Sequence, residues 1–164
     1  MQTRRLTRDA MLTGVALIIF TIEAQIPPLT SIPGIKMGLA NIITVYAAFA
    51  IGPADAAVIL AARILLGSVV VGNLSTLMYS AAGGLLCLAA MLGLRRALTE
   101  KQLWVASVIG AAAHNTGQIA VAVAVTRTPA LWAYLPVLLM SGMIAGLFTG
   151  LCAQALVNRM KTTR

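Results

Sequence analysis

The sequence predicts an all-α membrane protein, a bundle of six transmembrane helices with both termini in the cytoplasm. Three observations carry this: an extreme apolar composition, six apolar runs separated mostly by short breaks, and a one-sided distribution of Lys and Arg. Hydrophobic residues make up 60% of the 164 residues and charged residues 10%, with a mean hydropathy of +0.93. An ordinary soluble domain is about 25% charged. A helix needs about 20 mostly apolar residues to cross the hydrocarbon core, so a chain of this length is filled by about six crossings and leaves no room for a soluble domain.

Charges and Pro/Gly punctuation set the runs at 9–26, 35–52, 54–72, 75–94, 102–126 and 130–157. The first follows Arg4, Arg5 and Arg8, an arrangement also found in secretory signals, but no small-x-small cleavage site follows it and it reads as a retained span. Pro27, Pro28, Pro33 and Gly34 separate it from the second run, which stops at Gly52 and Pro53. The third ends at Gly72 and Asn73, the fourth at the charged stretch from Arg95 to Lys101, and the fifth at Arg127 to Pro129. In the sixth, Gly142, Gly146 and Gly150 recur every four residues, and Ala10 and Gly14 make a small-xxx-small pair in the first. Such spacing lets helix backbones approach closely in lipid.

Orientation follows from the excess of Lys and Arg in cytoplasmic loops. Arg4, Arg5, Arg8, Arg95, Arg96, Lys101, Arg159, Lys161 and Arg164 make nine of the twelve basic residues, and six spans put all nine on one side. Lys36 and Arg127 lie near the opposite surface, and Arg63 lies within a span. The basic residues form no continuous face and are not interleaved with aromatics, so the charge of +8 describes membrane topology rather than nucleic-acid binding.

Ionisable residues inside spans usually face the protein interior or a wet cavity, because a charge at bilayer depth costs at least about 2.5 kcal/mol. Arg63 lies about 13 Å along the third span, near the midplane, and His114 is similarly deep in the fifth. His114 and Gln118, four apart, share a face, with Asn115 beside them. Glu23, Lys36 and Asn41 lie from mid-depth outward, so the pattern predicts a polar pocket open to the outside. It comprises Lys36, Asn41, Arg63, His114, Asn115 and Gln118, with Glu23 tuning it through Lys36 or Arg63. The basic excess points to an anionic or amphiphilic ligand. Thr149 and Gln154 are polar exceptions in the inner half of the sixth span. Cys87 and Cys152 lie in apolar runs without metal-ligand spacing and read as packing residues.

No catalytic residues and no metal ligands are predicted. The four acidic residues, Asp9, Glu23, Asp55 and Glu100, are scattered, and Asp55 reads as a helix-start carboxylate. The chain has no GxxxxGK[ST] phosphate loop, no GxSxG and no HExxH. The reading is a non-enzyme without a cofactor of its own.

Four ordered segments, SIPGIKMGLANI at 31–42, RILLGS at 63–68, GAAAHNTGQ at 110–118 and LPVLLMSG at 135–142, resemble the Gx transporter family. That family also carries the label heptaprenyl diphosphate synthase component I. The resemblance covers about residues 10–155. It implies kinship with the S components of energy-coupling factor (ECF) transporters, six-helix proteins of the bacterial cytoplasmic membrane that capture a small solute at the outer face. There a transmembrane coupling protein and two ABC-type ATPases supply the partners, and those partners use the ATP. The family's small-residue motif for the coupling protein falls on Ala10 and Gly14, and its lid on residues 27–34. The enzyme label sits badly with a chain lacking clustered carboxylates for Mg-diphosphate. It leaves a second reading, a non-catalytic membrane accessory of isoprenoid or quinone biosynthesis or of a redox system.

Overall fold

The computed structural model describes residues 2–26, 38–72, 74–99 and 102–162, and within these the chain is helical with no strand. Helix α1 spans Gln2–Gln25. Helix α2 is short, Asn41–Tyr46, and runs on as a π-helical turn over Ala47–Ile51. Helix α3 spans Pro53–Val71, α4 Leu74–Leu94 and α5 Leu103–Thr126. A 3₁₀ turn over Pro129–Tyr134 leads into α6, Leu135–Thr162.

Local chemistry sets these ends. Pro53 opens α3, where its missing N–H costs nothing, and Asp55 sits in the first turn. Gly72 closes α3 at φ 67°, donating its N–H to the Ser68 carbonyl. Arg127 ends α5 in the left-handed region, just ahead of Thr128 and Pro129. The start of α5 is capped from another helix, since the Leu103 N–H donates to Gln154 Oε1 on α6 at 3.1 Å.

Four helical segments are long and apolar enough to cross a membrane: Pro53–Val71, Leu74–Leu94, Leu103–Thr126 and Pro129–Arg159. Their outward surfaces carry Leu65, Val69, Leu85, Ile144 and Phe148, an apolar coat suited to lipid rather than water. The protein is a multi-pass membrane protein. Two of the six predicted spans differ from the other four. Helix α1 is long but carries Arg4, Arg5, Arg8, Asp9 and Glu23. Of the run predicted at 35–52, residues 38–52 are described, and there the helix spans Asn41–Ile51, about 16 Å at ~1.5 Å per residue, with the chain turning through Gly38 at φ 81° just ahead of it.

The closest packing is of α5 against α6 and α4, with α1 seated on α3. Glycines make it possible. A Cβ on Gly150 would lie 2.6 Å from Trp104 Cα, and one on Gly146 would lie 2.8 Å from Ala111 Cβ. The glycine stripe of α6 therefore serves packing within the bundle, with Ser107 and Thr149 hydrogen-bonded across it at 3.0 Å. Thr149 and Gln154, polar in an apolar run, are thus accounted for by α5–α6 contacts. Cys87 is fully buried beside Val45, Met91 and Leu103, while Cys152 is partly exposed.

At the end of the bundle that carries Gln2 and Pro53, Asp55 binds Arg5 at 2.5 Å and Arg8 at 3.2 Å, and Arg8 also reaches Asp9 at 2.9 Å. Asp9 and Asp55, far apart in sequence, share Arg8. Sequence reading treated these arginines only as a topology signal and Asp55 as a dipole partner. Their convergence follows from α1 packing on α3.

Candidate functional site

Charge and amide groups converge inside the bundle where α2 begins. Arg63, on α3 about 15 Å from Pro53, is 3% exposed, and His114 and Asn41 are 3% and 5% exposed. Arg63 Nη2 donates to Asn41 Oδ1 over 3.4 Å, which places the start of α2 at the depth of Arg63. The Arg63 guanidinium also lies 5.8 Å from the ring centroid of Phe20 on α1, within cation–π range.

Glu23, one turn beyond Phe20, accepts the Gly38 N–H at 2.5 Å, joining the end of α1 to the approach to α2. It also interacts electrostatically with Arg63. Gly38 is required twice over. Its φ is left-handed, and a Cβ there would lie 2.9 Å from Asn41 Nδ2 and 3.3 Å from His114 Cδ2. His114 is pressed from the other side by α4, where a Cβ on Gly83 would meet Nδ1 at 2.8 Å. Five helices thus contribute to one centre: α1 through Phe20 and Glu23, α2 through Asn41, α3 through Arg63, α4 through Gly83 and α5 through His114.

Gln118 lies one turn beyond His114 on the same face and is 1% exposed. Asn41 Nδ2, Arg63 Nε and Gln118 Oε1 are buried without a hydrogen-bond partner among the described residues. Each such group costs about 1–3 kcal/mol, so the centre holds polar capacity that a polar ligand would satisfy.

Asn115 takes a different direction. Its Nδ2 donates to the Leu138 carbonyl on α6 at 2.5 Å, reaching across because Gly142 has no side chain. It fastens α5 to α6 rather than joining Arg63. Lys36 and the lid residues 27–34 lie outside the described residues. Ala10 and Gly14 face outward from α1, and a Cβ on Gly14 would meet nothing within 4 Å. Among the described residues no group of three or more His, Cys, Asp or Glu is placed to hold a metal ion. Sequence reading missed Phe20, Gly38 and Gly83. Phe20, one turn below Glu23, was the one with a visible signal.

The architecture defines a class: an all-helical, multi-pass membrane protein with a charged, amide-rich centre at the start of a short internal helix. The chain belongs to the heptaprenyl diphosphate synthase component I family, whose model matches residues 12–156. Comparison with curated proteins and with solved structures gives no match.

Proposed function

We propose that the chain is the substrate-binding membrane subunit of an ECF-type transporter, S component-like, capturing a small anionic or amphiphilic solute at the outer face of the bacterial cytoplasmic membrane. The observation that carries this reading is the buried centre of Arg63, Asn41 and His114 where α2 begins, with Gln118 one turn beyond His114 and buried polar atoms left without a partner among the described residues. A short helix starting inside a bundle is tolerated where it lines a cavity or is buried in protein. In this reading α1 and α2 complete six crossings and both termini are cytoplasmic, as the basic residues favour. The chain performs no catalysis. A coupling protein docks on the outward Ala10–Gly14 face of α1, and two ATPases use ATP to drive release.

A second reading is favoured by the family's description: a non-catalytic membrane accessory of heptaprenyl diphosphate synthesis. The arginines that hold Asp9 and Asp55 fit a subunit that leaves diphosphate chemistry to another chain. Mass spectrometry of the purified protein separates the two readings. The transport reading expects a co-purifying solute whose thermal stabilisation is lost in Arg63→Ala and His114→Ala. Absence of any solute, with both variants supporting normal uptake, sinks it. Co-purification with a prenyl synthase instead of ATPases supports the accessory reading.

A further inference from the structure

A groove of about 710 Å³ opens between α1 on one side and α2 and α6 on the other. Its walls are apolar for most of their length, with Met11, Leu12 and Val15 facing Ile43 and Leu156. Its mouth is not apolar: Thr3, Arg4, Thr7 and Arg8 line it, all on the first turns of α1. From Thr3 to Val15 the α1 wall runs about 18 Å, close to the ~15 Å depth of one leaflet's hydrocarbon. An occupant with charge at one end and an apolar body one leaflet long is a lipid. A partner's transmembrane helix would not need the basic end.

The charges at the mouth select the headgroup. Arg5 and Arg8 are held by Asp55 and Asp9, and the Thr7 hydroxyl donates to the Thr3 carbonyl at 2.9 Å. Arg4 has no ion pair among the described residues. Along the α1 side of the mouth, Arg4 is left as a guanidinium that no aspartate holds among the described residues, a single partner suited to a phosphodiester carrying one negative charge. We propose that this groove seats an anionic glycerophospholipid of the surrounding leaflet, its phosphodiester on Arg4 and one acyl chain between α1 and the α2–α6 wall. The site is separate from the Arg63 centre and does not depend on the transport reading. It also differs from the outward Ala10–Gly14 face, which does not line it.

The test is native mass spectrometry of the purified full chain in mild detergent with equimolar phosphatidylglycerol and phosphatidylcholine of identical acyl chains. Phosphatidylglycerol should be retained about fivefold over phosphatidylcholine, the bias one arginine gives near a membrane surface. Arg4→Gln, a change at an exposed position, should bring the two to parity. Val15→Trp and Leu156→Trp, which fill the groove from opposite walls, should each reduce retention of both lipids. Equal retention by the unaltered protein, or a preference that survives Arg4→Gln, overturns the proposal. So does displacement of bound phosphatidylglycerol by geranyl diphosphate or by inorganic phosphate alone.

Discussion

The imidazole of His114 rests directly on Gly83, so closely that a Cβ at residue 83 would stand 2.8 Å from Nδ1 and 2.9 Å from the His114 carbonyl oxygen. The α4–α5 contact and the position of the histidine are therefore one feature. Gly83→Ala should destabilise the protein by about 1–3 kcal/mol through overpacking and, in the transport reading, abolish solute binding with it. Gly93→Ala, where a Cβ meets nothing within 4 Å, is the control. Thermal melting in detergent should separate the two.

The α6 glycines should rank by what opposes them. At Gly150 the nearest atom is Trp104 Cα, which belongs to the backbone and cannot turn away. At Gly142 it is the Asn115 amide, which can rotate only by giving up its bond to Leu138. Gly150→Ala should therefore cost more than Gly142→Ala, and Gly14→Ala should leave stability unchanged. Melting temperatures of the three variants check the order.

Arg63 and Glu23 should behave as a coupled pair of buried charges. Arg63→Met alone leaves Glu23 uncompensated and should cost about 3 kcal/mol, whereas replacing both partners by neutral residues is often close to neutral. The double variant Glu23→Gln with Arg63→Met should thus recover most of the lost stability. In the transport reading it should still fail to bind solute. Recovery of stability together with binding would remove Arg63 from the site.

The clasp of Asp55 with Arg5 and Arg8 is accessible to water through its arginine side, so salt should screen it. Asp55→Asn should lower the melting temperature at low ionic strength and have a much smaller effect in molar salt. An equal loss under both conditions would assign Asp55 to packing instead.

Gln154 supplies the acceptor for the first N–H of α5. Gln154→Leu keeps the volume but removes that acceptor from the fully buried Leu103, and should cost about 1 kcal/mol. Hydrogen exchange should localise the loss to the start of α5.

The helices and their ends were legible because both are local matters. Apolar runs, Pro53 at a helix start, Gly72 at a helix end and the depths of Arg63 and His114 depend only on composition and on rise per residue. The start of the second helix was not legible: hydropathy does not mark the left-handed turn at Gly38, and among residues 38–52 the helix begins at Asn41, beyond that turn. Within the site, Asn41, Arg63 and His114 were found by their cost in lipid. That same cost applied to Asn115, which the fold turns toward Leu138 instead.

The sequence by itself determined an apolar helical chain, its family and the polar residues that must be sheltered from lipid, because hydropathy and periodicity are read one segment at a time. Only the tertiary structure decided that Glu23 meets Gly38, that His114 lies against Gly83 and that Arg8 joins Asp9 to Asp55. The reason is physical. Which way a helical side chain reaches, and what it finds there, depends on how neighbouring helices are rotated and how closely they approach. Those quantities are set by packing between segments that lie far apart along the chain.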